Sequence, residues 1–178
     1  MTLFDAIDQA APTMRKDALI SDCGLYRYWL LRQWDASAPF LPIIMLNPST
    51  ADASIDDPTI RRCIGFARRD GFGGIKVMNL FAFRATSPAD MIAARDPIGP
   101  DCYSNLIGMI DYARQYSLPV LAAWGAHGSH LGRDRAVMSS ARGIGARLVC
   151  LGMTKLGHPR HPLYVAGHQS FMPFEVQS

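Results

Sequence analysis

The chain has 178 residues, 49% of them hydrophobic and 19% charged, which excludes a disordered polypeptide and fits one domain with a sizeable core. Its net charge of +3 permits a polyanionic partner without demanding one. No apolar run nears the ~18 residues of a membrane span, and the start Met1-Thr-Leu-Phe-Asp-Ala-Ile-Asp8 lacks the regions of a secretory signal, so a cytoplasmic protein without membrane contact is expected.

Residues 2–20 alternate short apolar and polar groups around Pro12, and one or two short helices are expected there, in an N-terminal extension over 1–24. Leu25 to Trp34 is aromatic and β-prone and reads as the first strand. After a turn at Asp35–Pro39, Phe40 to Leu46 is a continuous apolar run, as expected of a strand buried on both faces. A polar loop, Asn47 to Asp57, follows. A helix then begins with Asp56 or Asp57 as cap and Pro58 in its first turn, and Ile60, Ile64 and Ala67 recur at helical spacing.

Asp70-Gly71 and Gly73-Gly74 stop that helix, and Ile75 to Phe81 is the next strand. Short and long helices are expected over Pro88–Ala94 and Asp101–Tyr116, a strand over Pro119–Trp124, a helix over Leu131–Ala141 and a strand over Arg147–Gly152. The remainder, from Met153, is irregular and dense in His, Pro and aromatic residues. Strands alternating with helices predict a single α/β domain, with a core over 25–164 and a tail over 165–178; its central sheet is mostly parallel, with about four to five strands.

The four cysteines, Cys23, Cys63, Cys102 and Cys150, lie about 40 residues apart with no Cys-x-x-Cys or Cys/His spacing, and read as reduced structural thiols. No metal set is evident; His127 and His130 are three apart but lack a third ligand nearby.

Loops following four predicted strand ends, Asn47–Asp57, Asn79–Ser87, Gly125–His130 and Gly152–Tyr164, open on one edge of the sheet if the strands are parallel. Asn47 is a turn starter or a carboxamide that holds a water or an amide-like edge. Among Asp52, Asp56 and Asp57 one caps the helix, leaving another as a base or water orienter. Ser49 and Thr50 are loop hydrogen-bonders, and Ser49 can also favour an anion. Asn79 and Arg84 are turn and surface residues or together fix a phosphate or carboxylate. Phe81 and Phe83 read as core before stacking platforms. Trp124, His127 and Arg160 stand beside these loops. In His158-Pro-Arg-His161-Pro the bland reading is a basic surface loop; the functional one is a rigid loop presenting His161 to a substrate oxygen. Arg61, Arg62, Arg68 and Arg69 read as a solvated helix face first and a phosphate track second.

Ile44-Met-Leu-Asn-Pro-Ser-Thr-Ala-Asp52 with Asp56-Asp-Pro-Thr59, Val77-Met-Asn-Leu-Phe-Ala-Phe-Arg84, Ala123-Trp-Gly125 and Leu151 to Tyr164 together resemble the bacterial family called domain of unknown function 1643. More distantly, the order of motifs resembles the uracil-DNA glycosylase superfamily. Met45-Leu-Asn47-Pro48-Ser49 is similar to its Gly-Ile-Asn-Pro-Gly run, with Ser49 in place of the glycine. Met78-Asn79 with Arg84 is similar to its Thr-Asn strand end and Arg-Pro pair, without the proline. His158-Pro-Arg160 or His161-Pro-Leu163 is similar to its His-Pro-Ser loop, and its DNA-wedging loop has no clear counterpart.

The resemblance implies a three-layer α/β/α fold of that type and hydrolysis of an N-glycosidic bond. Asn47 would position the attacking water, His158 or His161 would stabilise charge on the departing base, and Asn79 would read the base edge. The loop neighbours Pro48, Ser49, Thr50, Phe81, Arg84, Trp124, His127 and Arg160 would surround the substrate, and Asp56 or Asp57 would assist. It implies no metal or cofactor, and a nucleic acid or nucleotide as partner; no protein partner is indicated. Two other readings stand beside this one: a non-catalytic nucleic-acid or nucleotide binding module, and an unrelated small-molecule enzyme using the same strand-end pocket.

Overall fold

A computed structural model describes residues 14–49 and 55–175. Its strands are β1 (Arg15–Ile20), β2 (Arg27–Gln33), β3 (Phe40–Met45), β4 (Gly74–Asn79), β5 (Val120–Ala122), β6 (Leu148–Cys150) and β7 (Met172–Pro173). The helices are α1 (Pro58–Arg69), α2 (Pro88–Ala93), α3 (Cys102–Gln115) and α4 (Arg133–Ile144), with 3₁₀ turns over Ala126–Gly132 and Pro162–Tyr164.

The α/β expectation holds, but the sheet is larger and more antiparallel than the sequence suggested. Seven strands lie in the order β1-β2-β4-β3-β5-β6-β7. Only the middle four, β4-β3-β5-β6, run parallel; β2 is antiparallel to β4, β1 to β2, and β7 to β6. The added strands come from the two chain ends. Arg15–Ile20, expected to be helical, pairs along β2 as an edge strand, while residues 1–13 lie outside the described residues. Backbone pairing with the aromatic β2 overrides a weak local pattern, as tertiary context often does. In the tail, Met172–Pro173 covers the other edge, at β6.

The four parallel strands read as mainly apolar runs, interrupted in β4 by Lys76 and by Asn79 at its end, because both their faces are covered. On one face, Leu41, Ile43, Met45, Ile75 and Val77 meet Ile60, Cys63, Phe66 and Ala67 of α1. On the other, Ile44, Met78, Val120 and Ala122 meet Leu106 and Ile110 of α3 and Val137 and Ala141 of α4. Helix α1 starts where expected: Asp57 is its N-cap, accepting from the Ile60 N–H at 2.8 Å, and Pro58 occupies the first turn.

Arg61, Arg68 and Arg69 are exposed, as a solvated helix face requires, and three of the four arginines of α1 also make tethering contacts. Arg62 donates to the Val165 carbonyl, Arg69 donates to Gly167 and Gln169 carbonyls at 2.8 Å each, and Arg68 lies 4.7 Å over the Trp34 ring. Arg62 and Arg69 thereby hold the segment that leads to β7. Cys63, Cys102 and Cys150 are buried free thiols, and Cys23 is an exposed one. Burial pushes the Cys63 thiol up to about 12, which suits a structural thiol. No helix among the described residues is long and apolar enough to cross a membrane.

Candidate functional site

The chain leaves β3 toward the α1 face, whereas the connections after its neighbours β4 and β5 lead to helices on the opposite face. The loops therefore part at the carboxyl end of β3, the place where open α/β sheets hold ligands. A cleft of about 670 Å³ opens there, within the range of small-molecule sites. Its apolar floor includes Met45, Leu46, Ile60 and Val77.

Its walls are stitched together by backbone bonds between loops distant in sequence. The Ala85 N–H donates to Pro48 C=O at 3.0 Å, joining the loops after β3 and β4. The Gly125 N–H donates to Pro159 C=O at 3.0 Å, joining the loop after β5 to the late His-Pro loop. Arg133, buried at the start of α4, donates from Nε to Leu80 C=O at 3.0 Å and fixes the chain leaving β4.

Asn47, Ser49, Asp57, Asn79, His127 and His161 all line this cleft, as do Trp124 and Arg160. The Asn47 amide nitrogen donates to Pro48 C=O at 3.2 Å and to Ala85 C=O at 3.0 Å. Both amide hydrogens are thereby committed, and Oδ1 is left as an acceptor. Asp57 combines two expected roles: Oδ1 caps α1, while Oδ2 accepts from the Ser49 hydroxyl at 3.3 Å.

His161 accepts the Leu163 N–H on Nδ1 at 3.3 Å, so the neutral ring carries its proton on Nε2. Burial holds its pKa below the usual 6.5, with the Asp57 carboxylate partly opposing that shift. At neutral pH the ring is an uncharged donor. His158 takes a different place. It lies in the turn with Thr154, its N–H donating to Thr154 Oγ1 at 3.2 Å, and it does not line the cleft.

Several other predicted residues are occupied elsewhere. Asp56 accepts from Arg32 Nε at 2.6 Å and pairs with Lys16 at 3.3 Å, away from the cleft. Arg84 donates to Gly24 C=O at 3.0 Å, and Phe81 is buried against the His130 ring at 5.5 Å. Pro48 is buried and contributes its carbonyl to the loop stitching. The Trp124 ring turns into the core and meets Phe174 edge-on at 5.6 Å. His127 and Arg160 are exposed at the rim. Thr50 and Asp52 lie outside the described residues. No group of three or more His, Cys, Asp or Glu side chains gathers among the described residues.

Gly128 fixes the Trp124 ring from the 3₁₀ turn side. A Cβ there would lie 2.2 Å from Trp124 Cδ1, inside contact distance of a ring that is 1% exposed. Gly128→Ala is expected to cost about 1–3 kcal/mol through overpacking, read as a lowered unfolding midpoint.

Sequence reasoning missed Arg27, which lines the cleft although it is only 5% exposed. Its Nε has no hydrogen-bond partner, and no carboxylate within 4 Å pairs with it among the described residues. A cation held this way costs on the order of several kcal/mol. Asn79, 3% exposed, also has a buried amide nitrogen with no partner. The signal was a charged residue inside an aromatic strand that pairs on both edges. Tyr164 and Thr154, also on the wall, carried no such signal.

Among known families, the one described as "Protein of unknown function (DUF1643)" matches this chain over residues 27–163, which span β2 through the late His-Pro loop. No curated protein and no solved structure matches it.

Proposed function

The chain belongs to the DUF1643 family, and we propose that its cleft hydrolyses an N-glycosidic bond in a nucleobase-containing substrate, as in the uracil-DNA glycosylase superfamily. What carries this reading is the meeting of Asn47, Asp57 and His161 in one strand-end cleft although 114 positions separate Asn47 from His161 in the chain. The four-stranded parallel core with helices on both faces is compatible with that superfamily's three-layer fold.

Each residue supplies one part of the chemistry. Asn47 Oδ1, its amide hydrogens committed, accepts a hydrogen bond from a water and turns a lone pair of that water toward the sugar C1′. Asp57 is the anion in the cleft that stabilises a cationic, oxocarbenium-like sugar as the C–N bond stretches. The departing base takes the bonding electron pair. His161 Nε2–H, as a neutral donor, meets the oxygen on which that negative charge gathers. Water then bonds to C1′ and releases its proton to solvent through the carboxylate side. The partner implied is a nucleic acid or nucleotide.

The test is release of free base, separated chromatographically, from oligonucleotides carrying uracil, hypoxanthine or oxidised pyrimidines and from nucleotides and nucleosides. Release from any one of them supports the proposal. Retention of nucleic acid without release from any substrate favours the binding-module reading instead.

A further inference from the structure

The proposed reaction has no use for the most unusual group in the cleft, the buried Arg27. Its placement depends on a local irregularity. Between Leu19 and Ile20 the β1–β2 register shifts, so that Leu19 faces Trp29 while Ile20 faces Arg27. Tyr28 and Trp29, consecutive in β2, consequently both join the core on the α3 and α4 side, and Leu30 joins the core on the α1 side. The bulge thus turns Arg27 to the α1 face, where the cleft lies. Bulges re-aim side chains in this way beside functional sites.

The Arg27 charge is not neutralised by an ion pair there. Burial, and then the neighbouring Arg84 charge, lower the Arg27 pKa to about 10, so the guanidinium still carries its charge at neutral pH. Asp57 is the opposing charge that acts on it, without forming an ion pair with it. Asn79 adds an unpartnered amide N–H to the same cleft. Both side chains are more than nine-tenths buried, and an unpaired donor and cation at such depth are stable together with an acceptor-rich anion.

We propose that Arg27 and Asn79 form an oxyanion-binding floor that takes the terminal phosphate of a mononucleotide. This rests on the glycosidic reading, within which phosphate is the anion that the substrate class carries. A terminal phosphate is favoured over a backbone diester because a diester extends in two directions and tracks a surface, whereas Arg27 lies at 5% exposure. The modest charge of +3 agrees with a monomeric substrate, since tight polymer binding draws on many neutralised phosphates.

The experiment is calorimetric titration and thermal unfolding of the full chain with inorganic phosphate, with the four common ribonucleoside 5′-monophosphates, and with the matching nucleosides. Phosphate and at least one monophosphate are expected to bind and raise the midpoint, and the matching nucleoside to bind roughly tenfold or more weakly. Arg27→Met is expected to abolish the phosphate-induced shift while raising the ligand-free midpoint by roughly 2–4 °C, because a buried unpaired charge is removed. Arg27→Gln, which keeps hydrogen-bonding capacity, serves if the methionine variant does not fold; it too should lose phosphate binding. Nucleosides binding as well as nucleotides, or phosphate binding unchanged in either variant, would overturn the proposal. Base release without any dependence on phosphate would remove the anion site and keep the glycosidic reading. Phosphate binding without base release would do the reverse.

Discussion

Replacing Asn47 or His161 by alanine is expected to lower base release by about 10²–10³-fold each while leaving the fold intact. The two losses should differ in pH dependence. In the wild type, protonation puts a hydrogen on His161 Nδ1, the atom that accepts the Leu163 N–H at 3.3 Å. The ring is then displaced from its fixed orientation, so activity should fall as pH drops through a value below 6.5, where burial holds the His161 pKa. His161→Ala should remove that acid limb, and Asn47→Ala should keep it. The linkage to stability has the same sign. A folded-state pKa below 6.5 means that the folded chain binds fewer protons than the unfolded chain in that window. The contribution is complete above 6.5 and is lost as pH falls through the lowered value. A rate profile of either variant with the acid limb in the opposite assignment would dissociate His161 from the reaction.

The second large effect is structural. Asp56→Ala is expected to destabilise the protein by roughly 1–3 kcal/mol, because it removes the 2.6 Å acceptor of Arg32 Nε, on a side chain that is 0% exposed. Arg32→Met should cost much less: Asp56 is 16% exposed and keeps Lys16 at 3.3 Å. The double variant Arg32→Met with Asp56→Ala should recover most of the loss, since neither charge is then left buried. Chemical denaturation of the three variants checks this. Equal losses from both single variants would show that the pair acts through packing and not through the buried ion pair. Base release by the folded fraction of Asp56→Ala should be near that of the wild type, in contrast to Asn47→Ala.

The central strands were legible because a strand covered on both faces is mostly apolar. Phe40–Met45 shows this without a break and Ile75–Met78 with Lys76 alone interrupting it, and Asp57-Pro58 marks a helix start by capping chemistry. The edges were not legible. Arg15–Ile20 carries no strong strand pattern of its own, and its conformation comes from bonds to β2, which the local sequence does not display. Met172–Pro173 is likewise too short to announce itself.

The cleft divides in the same way. Residues at or just past the carboxyl ends of parallel strands, Asn79 and Asn47, could be placed from chain order alone. Which of two adjacent aspartates enters the cleft depends on a partner 24 residues away, Arg32, which claims Asp56. Which of two histidines enters it depends on the turn that Thr154 and His158 close together. Arg27 was hidden by a bulge, because simple alternation along β2 gives it the wrong face.

The most direct measurement is turnover in water enriched in oxygen-18, with the released sugar and base analysed separately by mass spectrometry. Hydrolysis at C1′ by a water held at Asn47 predicts one heavy oxygen in the sugar and none in the base. Base release with no label in the sugar, or label in the base itself, would contradict attack of water on the glycosidic carbon.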